Sequence, residues 1–165
     1  ARESLRSDLT CADELPTGAI LVPAMEGVDI PSAMQLAAMA SRARNLPVGI
    51  VTFVVIARQL PLGAPQPEGE ASAQRMAADA ASLARSYGLA CAIHMERVRD
   101  GREGLLAVLS EYDARMVVVA ISTPKPEDPS NLELTDLLLR KAPCEVLIVR
   151  KPAAPESHTD KPSTT

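Results

Sequence analysis

Five short apolar runs alternate along the chain with stretches whose apolar residues recur at helical spacing. This strict alternation limits the fold more than any other feature of the sequence. The runs are Gly18–Met25, Leu46–Ala57, Leu89–Val98, Arg115–Thr123 and Cys144–Pro152. Four of them are apolar almost throughout, as strands buried on both faces are. Leu89–Val98 alternates in part, which predicts an edge strand with one wetter face. Between the runs, helices are predicted over Asp29–Asn45 (Met34, Ala37, Ala38, Ser41 on one face), about Glu70–Gly88 (Met76, Ala80, Leu83, Ala84, Tyr87), from Asp100 through Leu105, Leu106 and Leu109, and Asn131–Ala142 (Leu134, Leu137, Leu138). Punctuation agrees: Asp29 with Pro31 behind it and Asp100-x-x-Glu103 read as helix starts, and Gly88 as a helix end. The order β-α-β-α-β-α-β-α-β with right-handed crossovers predicts one doubly wound, five-stranded parallel sheet, order 3-2-1-4-5, with helices on both faces. Strands 1, 2, 4 and 5 should be almost fully buried along Ile20–Val22, Ile50–Val54, Val117–Val119 and Val146–Ile148. Ligands of such folds sit at the carboxyl ends of the strands. The loops after Met25 and Thr123 should meet there, at the switch point between strands 1 and 4.

Composition removes several function classes. The chain has 165 residues, one domain's worth, and 47% of them are hydrophobic. Phe53, Tyr87 and Tyr112 are its only aromatic residues, and the net charge is −4. Nucleic-acid platforms need exposed rings and a basic surface, so no nucleic acid is expected as a partner. Cys11, Cys91 and Cys144 are widely spaced, without CxxC or a Cys/His cluster, and read as small buried hydrophobes rather than metal ligands. No apolar run is long enough to span a bilayer. Residues 1–16 read as a polar linker or N-terminal extension, 17–152 as the domain, and 153–165 as a disordered tail.

The turn after the fourth run, ISTPKPEDPSN, stands where many α/β proteins hold a phosphate. Such a loop aims backbone N–H groups at one point, and glycine permits the approach. This loop has no glycine; Pro124, Pro126 and Pro129 remove donors, and Glu127, Asp128 and Glu133 add negative charge. Ser130-x-x-Glu133 instead reads as a capping box that satisfies the helix's own N-terminal donors. Ser122, Thr123 and Lys125 remain open to nucleotide contact of another kind. His94 and His158 read as incidental, and no Gly-x-Ser-x-Gly elbow supports a hydrolase. Arg99, Arg102 and Arg115 read either as ligand-facing or as solvated. The Arg58–Leu62 loop reads equally as a partner contact or a plain connector.

AILVPAMEG at the first strand, RVRDGREGLLAVL at the third helix and LLLRKAPCEVLIVRKP at the close resemble the universal stress protein family over about Thr17–Pro152. FVVIARQLPL resembles, more narrowly, the universal-stress domains at the cytoplasmic C-terminus of amino-acid permeases and related transporters. The resemblance implies a non-enzymatic regulatory or sensory domain, cytoplasmic or tethered to the inner face of the plasma membrane, with the transporter's membrane domain as a partner. The start without Met would then be a linker. It also implies an adenine nucleotide as the candidate ligand, but with a degenerate phosphate site. The family's nucleotide-binding members carry Asp at the position of Met25, a Gly-x-x-Gly loop after strand 4, and Gly-Ser/Thr where Leu132 and Glu133 stand. The carboxyl-end rule and the resemblance together assign ligand contact to Pro23, Ala24, Met25, Glu26, Phe53, Arg99, Ile121, Ser122, Thr123, Glu133 and Thr135. Family members commonly pair through the last strand, which implies a homodimer through Val146, Ile148 and Val149. The alternative is a free-standing stress protein that binds AMP, ATP or a cyclic nucleotide.

Overall fold

The computed structural model describes residues 14–122 and 130–152. Its elements are β1 (Ile20–Pro23), α1 (Ile30–Arg44), β2 (Val48–Val55), α2 (Pro67–Ser86), β3 (Cys91–Val98), α3 (Gly101–Glu111), β4 (Met116–Ser122), α4 (Ser130–Lys141) and β5 (Glu145–Lys151). All strand pairings are parallel and the sheet order is β3-β2-β1-β4-β5, as the alternation predicts.

Successive side chains of a strand point to opposite faces, and each face has its own core. Ile20, Val22, Val48, Ile50, Val118 and Ala120 pack with Met34 and Ala37 of α1 and with Ala80, Ala81 and Ala84 of α2. Leu21, Val51, Val117, Val119 and Ile121 pack with Leu105, Val108 and Leu109 of α3 and with Leu134 and Leu138 of α4. Two helices therefore cover each face. The buried stripe of α2 is made of Ala73, Ala77, Ala80, Ala81 and Ala84. The larger Met76, Leu83 and Tyr87 lie half-buried at its flank. Leu15, within the stretch read as a polar extension, is buried in the second core.

The starts and stops follow local chemistry. The Asp29 carboxylate accepts from the Ser32 N–H at 3.2 Å, and α1 stops at Asn45 in the left-handed region. The Asp100 carboxylate accepts from Arg102 N–H and Glu103 N–H at 2.8 and 3.3 Å. At Gly88, φ is +72°, a turn that glycine makes without strain, and its N–H closes on the Arg85 carbonyl at 2.9 Å.

Burial departs from expectation at two places. Val146, Leu147, Ile148 and Val149 of β5 are half-buried rather than almost fully buried, because β5 is a sheet edge with a neighbour on one side only. Phe53 is also half-buried, since its ring borders a cavity. Cys91 is buried and Cys144 half-buried, and neither forms a disulfide among the described residues. Cys11, His158, Thr123 and the prolines of the loop after β4 lie outside the described residues, as do the two tails. So does the side chain of Ser130, the expected cap of α4. No helix among the described residues is long and apolar enough to cross a membrane.

Candidate functional site

The carboxyl ends of β1 and β2 open into a cavity of about 640 Å³. Its floor is the turn after β1. The Ala24 N–H donates to the Val51 carbonyl at 2.8 Å, which extends the β1–β2 pairing and leaves Met25 and Glu26 at the rim. Phe53, Val54 and Val55 supply the wall from β2, and Glu68, Gly69, Ser72, Ala73 and Met76 the wall from the first turns of α2. Arg99, Asp100, Gly101 and Arg102 close the third side at the start of α3. The α3 glycines allow close packing: a Cβ on Gly101 would lie 2.9 Å from Met25 Cε, and one on Gly104 would lie 2.8 Å from Val98 Cγ1 and 3.1 Å from Phe53 Cε1.

Two arginines at the end of β3 hold the loop between β2 and α2. Arg99 Nη1 donates to the Ala57 and Leu60 carbonyls at 2.6 and 2.7 Å. Arg97 Nε donates to the Leu62 carbonyl at 2.9 Å; its other nitrogens reach the Ala64 carbonyl and the Glu70 carboxylate. Arg102 lies between two carboxylates, with Nη1 at 2.6 Å from Glu133 and Nε at 3.8 Å from Asp100. A smaller, charged cavity of about 300 Å³ lies beyond that pair, between α3 and α4.

The turn after β1 also reaches β4 and β5. The Asp29 N–H donates to the Ala120 carbonyl at 2.7 Å, and Lys151 Nζ lies 3.0 Å from the Asp29 carboxylate. Burial pushes the Asp29 carboxyl up, but the hydrogen bond and charge of Lys151 and the Ser32 N–H outweigh it and hold the group below its ordinary range.

Of the residues assigned from sequence, Ala24, Met25, Glu26, Phe53 and Arg99 line the larger cavity together. Pro23 ends β1 and is buried; Ile121 is buried in the second core; Ser122 ends β4 and is exposed. Thr135 is buried and its hydroxyl donates to the Leu132 carbonyl at 3.0 Å. Glu133 borders the smaller cavity through its pair with Arg102. The α2 contribution was not read from sequence. Its available signal is Pro67, a helix-opening proline at the end of the loop that leaves the carboxyl end of β2. Among the described residues no group of three or more metal-ligating side chains converges. His94 lies against Glu96 (3.2 Å) and Tyr112 (ring centroids 5.4 Å), away from the cavity.

A doubly wound parallel α/β sheet with a cavity at the carboxyl ends of its first strands is the architecture in which open α/β folds place their ligand sites. The chain belongs to the universal stress protein family, which its residues 17–150 match. A universal stress protein from Archaeoglobus fulgidus shares the fold at TM-score 0.65 and 22% identity, covering 80% of this chain and 98% of that one. The structure of the Archaeoglobus fulgidus universal stress protein in complex with dAMP gives 0.63 and 18%, covering 84% and 99%. An Arabidopsis thaliana family protein with AMP bound gives 0.54 and 10%, covering 81% and 93%. No curated protein matches the sequence.

Proposed function

We propose that this chain is a non-enzymatic regulatory domain, the cytoplasmic C-terminal domain of an amino-acid permease-type transporter, whose larger cavity holds an adenine nucleoside or a nucleotide of low charge. The carrying observation is the cavity itself. Met25, Phe53, Val54 and Met76 offer apolar walls to a flat base, and Glu26, Glu68, Ser72 and Arg99 stand at its polar margins. Family structures that hold dAMP and AMP support an adenine ligand. The carboxylates of Glu26, Glu68 and Asp100 on the walls, and Glu133 beyond Arg102, argue against a triphosphate. FVVIARQLPL supports the transporter setting, and the β5 edge supports a homodimer through Val146, Ile148 and Val149.

Calorimetry with adenosine, AMP, cyclic AMP and ATP tests the reading. Adenosine or a monophosphate should bind, and ATP should bind more weakly than about 0.1 mM, a binding free energy of about 5.5 kcal/mol. Low-micromolar ATP binding would favour the free-standing nucleotide-binding stress protein instead. The reading frame upstream of Ala1 decides the transporter setting: a series of membrane-spanning segments supports it, and a Met codon directly before Ala1 refutes it.

A further inference from the structure

The geometry points to Arg99 as the residue that selects a ligand with one phosphoryl group and reports its presence to the Ala57–Leu60 turn. This rests on the adenine-ligand reading above and adds to it a charge count, a named anchor and a consequence outside the cavity. Arg97 and Arg102 also carry positive charge near the cavity, but each pairs with a carboxylate: Arg97 with Glu70, and Arg102 with Glu133 at 2.6 Å. Arg99 does not. Its hydrogen bonds both leave from Nη1 and end on neutral carbonyls, those of Ala57 and Leu60. Among the described residues no carboxylate pairs with Arg99, and its Nε and Nη2 make no hydrogen bond to protein.

A guanidinium held along one edge and open along the other is suited to two oxygens of one anionic group, with its orientation already set. The charge count then limits the anion. One uncompensated cation faces Glu26 and Glu68, which make no ion pair among the described residues. A single phosphoryl group can take the open edge of Arg99, while among the described residues that line the cavity the other cation, Arg102, is already paired with Glu133, so a second or third phosphate gains no further partner there. The same side chain ties the cavity to the surface. Ala57, Arg58, Gln59 and Leu60 are exposed, and the Leu60 N–H closes a turn on the Ala57 carbonyl at 3.0 Å. An anion that fixes the guanidinium fixes this turn, and Arg58 within it becomes harder for a protease to reach.

The test is calorimetry of the whole chain and its Arg99→Gln variant with adenosine, AMP and ATP, together with limited trypsin digestion followed by mass spectrometry at the Arg58–Gln59 bond. Because charge-assisted hydrogen bonds contribute more than neutral ones, wild type should bind AMP about tenfold tighter than adenosine, and ATP more weakly than AMP. Arg99→Gln should bring AMP and adenosine to within about twofold of each other, with a loss of AMP affinity several times larger than any loss of adenosine affinity. AMP should slow cleavage after Arg58 in wild type and not in the variant. Arg99→Lys, which keeps the charge without the fork, should retain part of the AMP preference. Equal binding of adenosine and AMP by wild type, or an equal loss of both in Arg99→Gln, overturns the role of Arg99 and leaves the adenine reading standing. Binding of none of the three overturns both.

Discussion

Thr52 offers the sharpest test of how the core is read. It lies in β2, paired in register with Met95 of β3, and is 0% exposed. Strand alternation places it on the face of Ile50 and Val54, under α1 and α2. Its hydroxyl has no hydrogen-bond partner among the described residues. An unsatisfied buried hydroxyl costs about 1–3 kcal/mol. Valine has the same branched shape, so Thr52→Val leaves no cavity and forces no rearrangement, and its extra buried methyl contributes up to about 0.8 kcal/mol. The net expectation is a gain of about 1–4 kcal/mol, which for a chain of this size raises Tm by roughly 2–16 °C. The chain has no tryptophan, so urea unfolding should be followed by far-ultraviolet circular dichroism. The midpoint should rise with m unchanged. Thr52→Ser, which keeps the hydroxyl and deletes the methyl, should lose about 1 kcal/mol. If Thr52→Val is no more stable than wild type, the hydroxyl is satisfied, by water or by backbone, and the reasoning fails.

Gly49→Ala should destabilise by about 1–3 kcal/mol in the same assay, because its Cβ would fall 2.5 Å from Leu15 Cδ2 and 2.8 Å from Leu21 Cδ2. Asp29→Asn should separate charge from capping, since asparagine also caps. The depressed carboxyl of Asp29 stabilises the fold above its unfolded pKa and loses that contribution as pH falls through the folded value, so the stability advantage of wild type should shrink below about pH 4. Val149→Lys should shift the light-scattering mass from dimer to monomer while the circular dichroism spectrum holds; a wild-type monomer at high micromolar concentration contradicts the dimer.

The fold was legible because its signals are local. Asp29 and Asp100 cap the helices they were assigned to, Gly88 turns where α2 ends, and the apolar runs pair in the order that right-handed crossovers require. The half-burial of β5 does not show in VLIV itself, which reads the same in a central strand as at an edge. It follows from the predicted order, which already leaves strand 5 with one neighbour, and the expectation of near-complete burial there did not take that order into account. The cavity was legible in part. Met25, Glu26, Phe53 and Arg99 follow from the carboxyl-end rule, but Glu68 and Met76 come from a helix placed by a proline-rich loop. The loop's position is in turn set by Arg97 and Arg99; Arg99 reads from sequence as ligand-facing or solvated, and neither reading foresees its hold on the loop. Long-range hydrogen bonds from arginine to carbonyl leave no periodic trace.

The alanine face of α2 carries a mechanical consequence. Methyl groups make a shallow rack, so the sheet resists axial slip of this helix less than it would if leucines interlocked with it. The helix is held instead at its two ends, by Arg97 on Glu70 at one and by Arg42 Nη2 on the Tyr87 carbonyl, 2.8 Å away, at the other. Glu68, Gly69 and Ser72 ride on that helix as one jaw of the cavity, so the contacts at its two ends bear on that wall as well. Of these two contacts only Arg97–Glu70 is an ion pair, while Arg42 holds a neutral carbonyl, so added salt should loosen the cavity end of the helix more than its far end.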